Sequence, residues 1–278
     1  MATSAERQTG GSVRVTLWIL LIVYIFNFID RQIVNILAEP IRMELGLSDT
    51  QIGLMTGLAF ALFYTVLGLP IARFSDRSTT NRPWLIGGAL AIWSAMTALC
   101  GLAQNFAQLL LARIGVGVGE AGCTPPAHSL IADLVEPSKR ASALAFYALG
   151  IPVGTLLGMF IGGFLIVGLP GLILAIIVFT TLKDPRRTGL VKQTAAQASA
   201  GQMPLKDALR AMFSSRAFVL LVIAGSAAAF LGYGKITWIT IFFQRTHGLT
   251  PGETGFWFGV VNGGAGIAGT MLGGYIAD

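Results

Sequence analysis

Residues Thr50–Asp76 read TQIGLMTGLAFALFYTVLGLPIARFSD, and Gly252–Asp278 read GETGFWFGVVNGGAGIAGTMLGGYIAD. A gapless displacement of 202 residues lays the second on the first, with Gly53 on Gly255, Gly57 on Gly259 and Asp76 on Asp278. The same displacement sets Arg14 on Arg216, each just before an apolar run. Both stretches are long enough to cross about 30 Å of hydrocarbon. One offset shared by two spans points to a duplicated unit, and equal orientation of the copies points to a parallel repeat.

The composition is that of a membrane protein. Hydrophobic residues make up 54% of the 278, charged residues 12%, and the mean hydropathy is +0.72. Soluble domains carry roughly 25% charge. The 35 glycines fit, because small residues let transmembrane helices approach closely. The first apolar run lacks a small-residue cleavage site, so it reads as a retained span and not a signal peptide. Cys100 and Cys123 have neither metal-ligand spacing nor the placement for a disulfide.

Eight spans follow from the apolar runs: about Val15–Leu37, Gln51–Ala72, Trp84–Ala103, Phe106–Val135, two within Ala141–Leu182, Ala217–Phe243 and Gly255–Ala277. With the N-terminus inside, the cytoplasmic basic residues are Arg7, Arg14, Arg73, Arg77, Arg82, Lys139, Arg140, Lys183, Arg186, Arg187, Lys192, Lys206, Arg210 and Arg216. Only Arg42 and Arg245 lie outside, and Arg31, Arg113 and Lys235 lie within spans. This asymmetry orients the chain by the positive-inside rule and places the +6 net charge in short loops, with no nucleic-acid footprint. Ala141–Leu182 holds 42 residues for two crossings that need about 40, so a missing external loop is expected there. The chain stops at the equivalent of Asp76, in mid-motif, and four further spans are expected after it. The organisation read is 1–182 as an N-terminal bundle, 183–216 as a cytoplasmic linker carrying an amphipathic segment at Pro204–Arg210, and 217–278 as the start of a second bundle.

Charges at membrane depth mark function. On insertion scales such a residue costs at least about 2.5–3.5 kcal/mol, and it persists when it faces the bundle interior and pairs. Asp30 and Arg31 lie in the first span, Arg113 and Glu120 in the fourth. By helix rise, Asp30 sits about 22 Å from the cytoplasmic side and Arg113 about 10 Å from the other, which is nearly one depth. Glu120 follows Arg113 by two turns on one face, within reach of the long Arg31 side chain. Asn27 precedes Asp30 and Arg31 by one turn. A structural ion pair that only locks helices is the alternative. Tyr24, Thr124, Lys235 and Trp238 complete the candidate cavity lining, and His128 reads as a packing residue.

The loop Ala72-Arg-Phe-Ser-Asp76-Arg77, with Arg82 beyond, resembles the major facilitator signature Gly-x3-Asp-Arg-x-Gly-Arg-Arg, with Ala72 in place of the usual glycine. Span four, Arg113-Ile-Gly115-Val-Gly117-Val-Gly119-Glu120, resembles that superfamily's fourth-helix motif, and Gly150, Gly154, Gly158 and Gly162 resemble its fifth-helix glycine stripe. With Asp30-Arg31 and Glu120-Ala121 the pattern is similar to the spinster branch, whose members move lysolipids and sphingosine phosphates. The resemblance implies an all-α polytopic membrane protein with a six-helix bundle and the first two helices of a second. It implies a proton-coupled carrier of an amphipathic or organic-anion substrate in a bacterial inner membrane, monomeric and without cofactor or metal. A sugar or drug carrier, or a non-transporting sensor, is the alternative; no nucleophile–base pair suggests an enzyme. Glu120 and Asp30 would take protons, Arg31 and Arg113 would be their partners, and Asp76, Arg77, Arg82 and Asp278 would gate.

Overall fold

A computed structural model describes residues 4–161, 168–185 and 204–277, which form helices joined by short turns. The helices are α1 (Ser4–Leu45), α2 (Asp49–Gly53), α3 (Ala59–Asp76), α4 (Arg82–Cys100), α5 (Phe106–Ala121), α6 (Thr124–Leu134), α7 (Arg140–Ala148), α8 (Gly150–Ile161), α9 (Gly168–Thr181), α10 (Leu205–Ser214), α11 (Arg216–His247), α12 (Pro251–Phe258) and α13 (Gly264–Ala277). Six helical stretches among the described residues are long and apolar enough to span a membrane, and Gly171–Thr181 is a shorter apolar helix. The protein is an all-α membrane bundle. The turn expected between spans five and six, Gly162, most of the linker and Asp278 lie outside the described residues.

The helix ends follow their local chemistry, and they repeat. Gly46 closes α1 in the left-handed region at φ 62°, with the Leu47 amide donating to the Arg42 carbonyl at 2.9 Å. Gly248 closes α11 in the same way at φ 66°. A side chain at either position would be strained, so glycine ends both helices. Two residues on, Ser48 with Gln51 and Thr250 with Glu253 each form a reciprocal capping box. A π-helical turn follows in each copy, Leu54–Leu58 and Gly259–Gly263. Gly46 and Gly248, and Ser48 and Thr250, stand 202 residues apart, the offset found in the sequence.

Two details go beyond the spans read from the sequence. The fourth span, Phe106–Leu134, carries a break: α5 ends at Ala121 and α6 starts afresh at Thr124, because Pro125 and Pro126 cannot supply the amides that would continue the ladder. The amphipathic segment of the linker extends past Arg210 as a helix over Leu205–Ser214, and Phe213 packs edge-on against Phe218, 5.7 Å between centroids.

Small residues set the packing. Gly154 faces α1 so closely that a Cβ there would fall 2.5 Å from the Ile25 carbonyl, and Gly150 and Gly158 meet Tyr24 and Ile29 on the same helix. Gly115 and Gly119 press α5 onto Met96 and Trp93 of α4, while Gly117 meets Phe60 of α3. The glycine run in span four therefore builds helix contacts. The core of the first bundle joins Leu20, Ile86, Leu90, Trp93, Val116, Leu130 and Val178. The second-repeat helices lie along it, with Gly255, Gly259 and Gly263 against Met159, Phe160 and Leu156 of α8.

Candidate functional site

Four charges meet inside the first bundle. Arg31 donates from Nε to Glu120 Oε2 at 2.7 Å and its Nη2 lies 2.7 Å from the same oxygen. The Glu120 side chain is wholly buried and that of Arg31 is 12% exposed, so the pair is held at low dielectric. Arg113 Nη1 stands 3.6 Å from Asp30 Oδ2 with both side chains buried, close enough for charge attraction but too long for a hydrogen bond. The Phe60 ring lies between the cations, 4.9 Å from the Arg31 guanidinium carbon and 5.3 Å from that of Arg113. Phe28 and Tyr64 add two faces around Arg31, each at 5.1 Å. Aromatic faces attract cations, so these rings hold both guanidiniums without neutralising them.

The cluster is charge-balanced yet incompletely hydrogen-bonded. Asn27 Oδ1, Asp30 Oδ2, Glu120 Oε1 and Arg113 Nε are buried with no hydrogen-bond partner among the described residues. A buried polar atom without a partner costs about 1–3 kcal/mol. The arrangement thus leaves acceptors that a proton or a polar ligand group would satisfy.

The cavity candidates divide. Tyr24 stacks on Tyr147 at 4.3 Å, and Asn27 is buried one turn from the charges. Thr124 is half-buried at the start of α6, near Tyr147. Lys235 and Trp238 are exposed on α11, and Trp238 reaches towards Gly53 of α2 and not towards the charges. Tyr233, unforeseen, is the α11 residue that touches the centre: its hydroxyl accepts from Arg31 Nη1 at 3.1 Å. Its signal was present in the repeat, because Tyr233 is the equivalent of Arg31 under the offset. His128 is exposed, and its ring packs edge-on to Tyr147 at 5.4 Å.

The loop after α3 forms a second charged site. Arg82 is wholly buried and donates to Asp184 from its backbone amide, Nε and Nη2 at 3.1, 3.0 and 2.6 Å. Its Nη1 meets Asp133 Oδ2 at 2.8 Å and Ser129 Oγ at 3.2 Å, and Ser129 donates to Asp76 at 3.5 Å. Arg77 is exposed and lies over the Phe74 ring. Asp133 has a buried side chain, 7% exposed, because it neutralises Arg82. Asp184 was missed among the basic residues that follow span six. These contacts tie α4, α6 and the segment after α9 within one bundle. A third cluster lies at the opposite end: Arg245 bridges Glu39 at 2.7 Å and Asp49 at 2.6 Å, and Arg42 also meets Glu39 at 2.8 Å. No group of histidine, cysteine and carboxylate side chains among the described residues could hold a metal ion.

A helical bundle with a repeated two-span unit and buried ion pairs at membrane depth defines a polytopic membrane protein. The Major Facilitator Superfamily model matches residues 20–278, and the chain belongs to that superfamily. It is 33% identical to an MFS-type efflux pump of Mycolicibacterium smegmatis, over 99% of this chain and 64% of that protein. It is 29% identical to protein spinster homolog 1 of Homo sapiens, over 90% of this chain and 49% of that protein. Its structure matches that of a bacterial homolog to the human lysosomal transporter spinster, in an inward-facing and unoccupied conformation, with TM-score 0.82 and 34% identity. That match covers 96% of this chain and 62% of the other. Its relationships place it in the spinster branch, and it spans less than two thirds of the length of these relatives.

Proposed function

We propose that the protein is part of a proton-coupled secondary transporter that moves an amphipathic, lipid-like or organic-anion substrate by alternating access. The observation that carries this reading is Glu120: wholly buried, paired through Oε2 with Arg31, and left with Oε1 unpartnered. Protonation of Glu120 removes the charge that neutralises Arg31. An uncompensated buried cation is strongly unfavourable, so Arg31 then recruits another anion. A substrate carrying a phosphate or carboxylate supplies one, and an apolar tail suits the exposed aliphatic and aromatic faces of α11. Asp30 and Arg113 serve as the second, looser pair, and Asp76 with Arg77 stands at the gate loop.

The test is flux in proteoliposomes with the full-length protein, with and without a pH gradient, using lysolipids, organic anions and sugars as substrates. Gradient-driven accumulation of an anionic amphiphile supports the reading. Flux indifferent to the gradient for every substrate sinks the proton coupling. Drug efflux is the second reading, favoured by the similarity to the Mycolicibacterium efflux pump, and a cationic dye in the same assay separates the two.

A further inference from the structure

Among the described residues the charged centre touches the second repeat through Tyr233, and a row of polar contacts continues from it. On α11 the residues Tyr233, Thr237, Thr240 and Gln244 are spaced by four, three and four, so they share a helix face. Tyr233 accepts from Arg31 at 3.1 Å. One turn on, Thr237 donates to the Asn35 side chain at 2.8 Å, and Thr240 donates to the Asn35 carbonyl at 3.1 Å. Gln244 donates to the Ile36 carbonyl at 3.1 Å, and Arg245 then pairs with Glu39 and Asp49. Arg31 with Tyr233 and Asn35 with Thr237 are pairs of equivalent residues, each 202 apart. Contacts between equivalent positions belong to an isologous interface, so α1 and α11 meet on the axis that relates the repeats. This seam runs from Glu120 to the end of the bundle that the charge asymmetry makes external.

We propose that Tyr233 is the positioning residue that couples the Arg31–Glu120 pair to closure of the external end. While Glu120 is ionised, Arg31 is held where its Nη1 reaches Tyr233, and the α1–α11 seam stays shut. When Glu120 loses its charge, Arg31 leaves this position, the Tyr233 contact goes with it, and the seam parts from its inner end. The inference rests on the transport reading, because it assigns Glu120 a charge that changes. Thr237, one turn away and without contact to Arg31, supplies adhesion only.

Spin labels at Met43→Cys and Thr246→Cys, both exposed at the external ends of α1 and α11, report the opening in full-length protein lacking Cys100 and Cys123. With Tyr233 intact, Glu120→Gln is expected to raise the ratio of long to short distances about tenfold, the scale of one hydrogen bond to a charged group. In a Tyr233→Phe background the same change should raise it less than about twofold, since the link is already cut. In a Thr237→Val background the full effect of Glu120→Gln should persist. Equal effects of Glu120→Gln with and without the Tyr233 hydroxyl would reduce Tyr233 to packing and overturn the proposal. No effect of Glu120→Gln with Tyr233 intact would overturn it as well. The distance cycle needs no proton gradient, so failure of gradient-driven flux with the cycle intact would sink the proton coupling while leaving Tyr233 as the link.

Discussion

Glu120 and Arg82 are both buried among charges, yet they differ in how fully their polar atoms are paired. Arg82 is saturated: Asp184, Asp133 and Ser129 satisfy its guanidinium. Glu120 keeps one oxygen without a partner. Replacing Arg82 with Met should therefore cost stability, by about 3–5 kcal/mol, because two carboxylates lose their counter-charge in a buried place. A fall in the thermal unfolding midpoint of detergent-purified protein is the expected readout, and an unchanged midpoint would show that the carboxylates are neutral or solvated. Glu120→Gln should leave the fold intact and abolish gradient-driven accumulation while substrate exchange persists. Accumulation near the wild-type level would make Glu120 structural. The sequence exposed the four central charges by their cost in hydrocarbon. It did not expose Asp184, because an acid beside Lys183 in a polar stretch resembles any loop residue.

At the scale of the helix, glycine positions that look alike in sequence carry different loads. Gly119 lies so close to α4 that a Cβ would fall 2.6 Å from the Trp93 amide nitrogen, whereas a Cβ at Gly57 would meet nothing within 4 Å. Gly119→Val should force α4 and α5 apart and remove folded protein, with a cost of about 1–3 kcal/mol or more from overpacking. Gly57→Ala should be neutral or slightly stabilising, since the residue is helical and unobstructed. The comparison is made by fluorescence size-exclusion yield and melting of the two variants. Equal behaviour would mean that the bundle relaxes around Gly119. The glycine spacing suggested close packing from the sequence, but the partner of each glycine depends on how the helices are placed in space.

At the scale of the molecule, the two repeats touch at the end carrying residues 38–50, through the Glu39, Arg42, Asp49 and Arg245 cluster and the α8–α12 packing. Arg245 is 34% exposed, so its pairs are screened by solvent and contribute modestly, about 0.2–1 kcal/mol each. Arg245→Ala should raise labelling of an externally buried cysteine at Ala38 by about twofold to fivefold, with less difference in high salt. Labelling that does not change would show that helix packing alone closes this end.

The chain by itself determined the class, the orientation expected for it, the repeat and the charged centre, because each rests on a local cost: burying charge, crossing hydrocarbon, or keeping basic residues on one side. Gly46 with Gly248 and Ser48 with Thr250 then showed the repeat in backbone geometry as well. Only the tertiary structure decided that Arg31 takes Glu120 and Tyr233, that Arg82 turns inward to Asp133 and Asp184, and that Lys235 faces away. Those outcomes depend on which helix faces meet. A residue's neighbours across a bundle are set by the rotation and approach of whole helices, and no spacing along one chain segment encodes that.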